Sequence, residues 1–188
     1  MILQEAIETR RSVRKYTNTA VEKEKIEHLI LNASKAPSAM NLQPWAFAVI
    51  ENTELLDRYS TEIKKSLIEK MNTEKTILEK YRSLMEKETF NIFHHAPALI
   101  VIYAKKPSLH PHEDCALAAQ NLMLTAADLE LGTCWIGFSI YHFNSSKIKT
   151  ELNIPEEYEA IAPIVIGYPQ TNHLPIPKKD PEILCWKR

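Results

Sequence analysis

Apolar positions recur along the chain at two periods, and the change from one to the other divides it into elements. Between residues 21 and 34, Ile26, Leu29, Ile30 and Ala33 fall at the i, i+3, i+4, i+7 spacing of one buried helix face. Residues 2–11 read as an earlier helix, with Leu3, Ala6 and Ile7 on one side and Arg10, Arg11 and Arg14 gathered at its end. A loop over 37–45 leads into a strand at 46–51. Residues 54–93, rich in Lys, Glu, Leu and Ile, read as two helices broken near 72–73, so the stretch 52–93 forms a helical cover.

The run ALIVIY, residues 98–103, is continuous, apolar and of strand length, the pattern of a central strand buried on both faces. Residues 114–131 form the most apolar helix, with Gly132 as its C-cap. A strand at 133–138, a helix at 145–152 that Asn144 or Ser145 can cap, and a buried strand at 161–167 follow. The remainder, 169–188, is a proline-punctuated extension whose strand-like end, 183–186, finds no evident neighbour in its own chain. Such a segment suits contact with a partner subunit.

The length of 188 residues suits one domain, 1–188, with a substantial core of its own. A net charge of −1, with both signs spread along the chain, argues against nucleic acid or an anionic membrane surface as partner. The longest apolar runs, near 96–104 and 160–168, are too short to span a bilayer, and the charged N-terminus lacks a signal-like apolar core. Cys115, Cys134 and Cys185 are odd in number and form no CxxC, which disfavours a disulfide framework or structural zinc and fits a reducing cytoplasm.

Glycine is scarce, limited to Gly132, Gly137 and Gly167, so neither a Walker loop nor a GxGxxG turn is present and side chains must hold any bound phosphate. RRSVR, Arg10 to Arg14, supplies three guanidinium groups and the Ser12 hydroxyl within five residues, with Arg10 and Arg14 one helical turn apart. Basic residues complementing a helix end are the other reading. PSAMNLQPW, residues 37–45, displays Ser38, Asn41 and Gln43 on one short loop, which turn chemistry explains only in part. HPHEDC, residues 110–115, has donors enough for a metal, or is a polar loop entering a helix begun by Asp114. His94 and His95 read as a helix end, where imidazolium is favoured. Cys134 has no base nearby in sequence to support thiol chemistry.

RRSVRKY, APSAMNLQPWAF, HHAPALIVIYA, AAQNLMLTAADLELGTCWIGF and IAPIVIGYP, in this order, together resemble the FMN-dependent nitroreductase family over nearly the whole chain. The resemblance implies an α+β, nitroreductase-like fold: a central mixed β-sheet flanked by helices, in an intertwined homodimer with FMN at the interface. By the same carry-over Arg10, Arg11 and Ser12 hold the FMN phosphate and ribityl chain, and Arg14 lies by the pyrimidine edge of the ring. Trp135, Ile136 and Gly137 pass beneath the ring with their amides near N5 and O4, and Gly137 lets the backbone approach closely. Pro37, Ser38, Ala39, Asn41 and Gln43 face the flavin bound mainly by the other subunit. Lys178 and Lys179 stand where the family commonly has an arginine completing the phosphate site; they carry the charge without the bidentate fork, or are ordinary solvated lysines.

The activity implied is hydride transfer from NAD(P)H through flavin N5 to a small-molecule acceptor, a nitroaromatic or quinone. The cofactor carries the chemistry, so no catalytic acid or base is named, and no metal. Flavin-dependent dehalogenation, use of flavin as a substrate, and a non-catalytic flavin-binding or redox-sensing role are the alternatives.

Overall fold

The computed structural model describes residues 2–171 and 177–188. Residues 172–176, within the predicted extension 169–188, lie outside the described residues. The chain order is α1 (Leu3–Thr9), α2 (Lys23–Ala33), β1 (Trp45–Ile50), α3 (Thr53–Thr73), α4 (Arg82–Met85), β2 (Ala98–Lys105), α5 (Pro111–Asp128), β3 (Gly132–Trp135), α6 (Ile140–Phe143), α7 (Ser146–Glu151) and β4 (Tyr158–Gly167). Short 3-10 turns occupy Ala39–Asn41, Ile77–Tyr81 and Gly137–Ser139.

The four strands lie in the order β1-β2-β4-β3, and each pairing is antiparallel. The sheet is therefore not mixed as expected; among the described residues the parallel character is confined to one bridge, Ser12 with Thr133. β2 sits at the centre, buried from Ala98 to Ala104. Its side chains alternate, as the period of two requires. Leu99, Val101 and Tyr103 enter the core beneath α3, whereas Ala98, Ile100, Ile102 and Ala104 enter the core formed with α2 and α5. Two helical layers thus enclose one sheet. Ile26, Leu29 and Ala33 are the buried face of α2, and small residues, Ala118, Ala119 and Ala126, let α5 lie close to the strands.

Three local expectations change. Helix α1 ends at Thr9, and the chain then runs extended, with Val13 N–H donating to Thr133 O (2.9 Å) and Thr17 N–H to Tyr168 O (2.9 Å). RRSVR is therefore an added edge beside β3 and β4, and Arg10 and Arg14 are not a helical turn apart. Gly132 is not the C-cap of α5: Leu129 is, Glu130 takes the left-handed conformation (φ 60°), and Gly132 already belongs to β3. A Cβ at Gly132 would come within 2.8 Å of Val13, so this glycine allows RRSVR to lie against β3. Residues 183–186 form no strand, and Ile183, Leu184 and Trp186 are exposed.

Candidate functional site

The extended run after α1 separates two concavities. On one side Arg10 and Arg11 border a cleft of about 270 Å³ with Val13, Gly132 and Thr133. On the other lies a cavity of about 630 Å³, with Arg14 on its wall. Its floor is the exit of β3, Cys134 through Phe138. The 3-10 turn and α4 contribute Leu78, Tyr81 and Leu84, and Phe90 lines the same side; the second helix expected after residue 73 is here a 3-10 turn and one four-residue helix. Cationic side chains beside a mainly apolar slot of this size suit a planar ligand with an anionic tail.

The floor is built by the sheet. Ile136 N–H donates to Pro163 O (2.8 Å), which holds the chain to β4 one residue beyond the end of β3. That bond removes Ile136 N–H from the amides expected to face a ring. Gly137 N–H, by contrast, has no hydrogen-bond partner among the described residues, and the space where its Cβ would stand is empty for 4 Å. A flat group can therefore approach the backbone there. Cys134 is buried in the floor, and burial pushes its thiol pKa up against smaller opposing effects of Arg14 and Ser12. A neutral thiol is a wall atom here, not a nucleophile.

The cover is tied down from α3. Lys64 Nζ donates to Lys87 O (2.6 Å) and Phe90 O (3.0 Å), which fixes the segment bearing Phe90. Tyr81 meets Phe138 edge-on at 5.3 Å, joining cover to floor. Sequence reasoning missed Lys64, Tyr81, Phe90 and Phe138.

It also misread His94. Residues 94 and 95 end no helix; both adopt left-handed backbone (φ 56° and 54°) in a turn leading into β2. Burial, with the nearby charge of Arg14, lowers the His94 pKa to about 4, so the ring is neutral and no imidazolium is favoured. His94 lines the same cavity as Arg14.

The remaining predicted residues lie apart from both concavities. In the loop after α2, Ser38 Oγ accepts from Gln43 N–H (2.9 Å) and Ala39 N–H donates to Asp114 Oδ1 (3.0 Å). These groups hold the loop's shape, and the Ala39 amide is committed to Asp114. Met40, Asn41 and Gln43 are left-handed, at φ 50°, 56° and 47°, which turns Asn41 and Gln43 outward and exposed; Pro37 is exposed as well. Asp114 is buried and does not begin α5, which starts at Pro111. Among the described residues no cluster of three or more His, Cys, Asp or Glu side chains is placed to hold a metal. Lys178 and Lys179 are exposed and line neither concavity. No helix among the described residues is long and apolar enough to cross a membrane.

The sequence model of the Nitroreductase family matches residues 7–168. The chain belongs to this family. Among its relatives, a protein of Archaeoglobus fulgidus, named for a proposed NADH dehydrogenase or NAD(P)H nitroreductase activity, is 31% identical over 87% of this chain and 83% of its own. An iodotyrosine deiodinase of Thermotoga neapolitana is 25% identical over 95% of each chain. In structure, a nitroreductase with bound FMN from Desulfitobacterium hafniense superposes with a TM-score of 0.83 at 25% identity, covering 99% of this chain and 100% of that one. The nitroreductase fold thus accounts for nearly all of the described chain.

Proposed function

We propose that this nitroreductase-family chain is an FMN-dependent NAD(P)H oxidoreductase that reduces small aromatic acceptors of the nitro or quinone type. The observation that carries the reading is the division of RRSVR between two concavities: Arg10 and Arg11 beside the cleft, Arg14 on the wall of the apolar cavity. That donor set fits FMN, whose phosphate is dianionic and whose ring is flat. When bound, FMN accepts hydride from NAD(P)H and passes reducing equivalents to the acceptor.

Each residue then has a defined task. Arg10 and Arg11 offer charge-assisted hydrogen bonds to the phosphate, with Ser12 between them and the ring. Arg14 places a permanent positive charge at the cavity wall, where it favours negative charge on the pyrimidine edge of the ring. The unspent N–H of Gly137 and the open space beside it suit a ring heteroatom lying against the backbone. Leu78, Tyr81 and Phe90 exclude water above the site and give an aromatic acceptor apolar surface.

The reading includes a homodimer. Leu3 and Ile7 on α1, Leu31 on α2 and Leu117 on α5 are exposed, and α1 and α2 both pack on α5, which makes that side of the molecule unusually apolar. The loop 37–45 and the segment 177–188 would meet the partner, carrying Pro37, Ser38, Asn41 and Gln43 toward its FMN and Lys178 or Lys179 toward a phosphate. Cys115, Cys134 and Cys185 are free thiols, as suits a reducing cytoplasm. Reductive dehalogenation is the second reading, favoured by the deiodinase relative.

Anaerobic turnover separates these. NADH or NADPH should be consumed steadily with 1,4-benzoquinone or nitrobenzene as acceptor. Consumption only with a halogenated tyrosine would replace the first reading by the second, and consumption with none would make the chain a flavin-binding protein without turnover.

A further inference from the structure

His94 stands out from the rest of the cavity wall by the way it is held. Two consecutive non-glycine residues, His94 and His95, lie in the left-handed region. Each costs free energy that the surroundings must offset, and such residues concentrate where a side chain has to be presented. The turn is braced from several directions. Asn91 Nδ2 donates to Asp57 Oδ1 (2.7 Å), and Asn91 Oδ1 accepts from Phe93 N–H (2.8 Å). Ser60 Oγ accepts from Ile92 N–H (2.8 Å), and His94 N–H itself donates to Asn91 O (3.0 Å). Three side chains from α3 and the turn thus fix a backbone conformation that sequence alone disfavours.

The braced turn sends His94 into the cavity that also holds Arg14, while the surrounding wall is made by Leu78, Leu84, Phe90, Ile92 and Phe138. The imidazole is half-buried, and its ring nitrogens make no hydrogen bond among the described residues, so they are available to a molecule in the cavity. Its edge-on contact with Phe90, centroids 6.1 Å apart, steadies the ring without using its nitrogens.

We propose that His94 is a specificity-determining residue that donates a hydrogen bond to an oxygen on the aromatic molecule bound in this cavity. The proposal rests on the functional reading, in which the acceptor lies over the flavin ring in this cavity, and adds the residue that selects it: His94 favours an aromatic molecule with an oxygen at its edge over the matching hydrocarbon. Apolar side chains hold the ring, and the imidazole distinguishes an oxygen substituent from a hydrocarbon one. Because the ring stays neutral down to about pH 4, it retains one N–H donor at working pH without adding a second cation beside Arg14.

The test uses a matched pair of ligands, acetophenone and α-methylstyrene, in which C=O is replaced by C=CH2 with little change in shape. Both are titrated into FMN-saturated wild type, His94→Leu and His94→Asn, with binding read from the visible flavin spectrum. His94→Leu should shift the relative affinity about tenfold toward the hydrocarbon, the size expected for loss of one buried hydrogen bond. His94→Asn, which keeps a donor and tolerates left-handed backbone, should restore part of the preference. A purely structural role for His94 would weaken both ligands alike, and an unchanged ratio would overturn the proposal. Failure of wild type to bind acetophenone would overturn it too. Failure of the functional reading shows separately, as absence of NAD(P)H consumption with benzoquinone.

Discussion

Val13 and Gly132 lie so close that a Cβ on the glycine would stand 2.8 to 2.9 Å from the Val13 side chain. This contact lets RRSVR run beside β3 and places Arg14 on one side of the run, with Arg10 and Arg11 bordering the cleft on the other. Gly132→Ala should force the two segments apart, at a cost of about 1–3 kcal/mol in stability by overpacking, and weaken FMN binding in parallel. Urea unfolding and FMN titration measure the two effects. An alanine variant with both quantities unchanged would show that the contact does not set the position of the arginines.

The cover is expected to depend on Lys64, whose ammonium bridges the carbonyls of Lys87 and Phe90. Lys64→Met keeps the aliphatic stem and removes both bonds. Amide exchange over residues 77–90 should quicken while FMN affinity changes little, because the segment lines the cavity of Arg14 and leaves the cleft of Arg10 and Arg11 untouched. Unaltered exchange over that segment would remove Lys64 from its role.

Much of this architecture was legible because burial imposes a period. The α2 face and the two-sided burial of β2 both follow from apolar spacing, and the break after Thr73 falls where the helical pattern lapses. What escaped depends on contacts between segments distant in sequence. RRSVR reads as a helix end because arginine is a good helix former, yet pairing with Thr133 makes it extended. Gly132 has the composition of a cap, but Glu130 assumed the left-handed position and left the glycine to accommodate Val13. The pair His94-His95 carries no signal of its backbone conformation, since that depends on Asp57, Ser60 and Asn91. The arginines were visible from residue types alone; their division between two concavities was not.

Acid should destabilise the fold through two half-buried imidazoles, His94 and His142. The His94 pKa falls from 6.5 to about 4, by burial first and then by the charges of Arg14 and His95. The His142 pKa is also lowered, by burial first, with Glu62 and Glu151 opposing and Lys147 and Arg58 reinforcing the shift. Between about pH 6.5 and 4 the unfolded chain binds more protons than the native one, so stability should rise with pH through that window and be lost as pH falls through it. His94→Asn should flatten the profile there. A urea midpoint with the same pH dependence in variant and wild type would contradict the assignment.

The extension should matter to assembly. Truncation after Lys179 removes Ile183, Leu184 and Trp186, all exposed within one chain, and should impair both dimer formation and flavin retention. Light scattering on the FMN-loaded protein gives the mass. A full-length monomer that holds FMN tightly would show that loop 37–45 does not serve a partner's site.

The central claim is that the cleft of Arg10 and Arg11 and the cavity of Arg14 together hold one flavin. Its most direct test is titration of FMN into cofactor-stripped protein, followed by the visible absorbance of the bound flavin, with NADH then added under anaerobic conditions. The account predicts a yellow protein that saturates at about one FMN per chain and bleaches on addition of NADH. A protein that stays colourless at saturating FMN would contradict it.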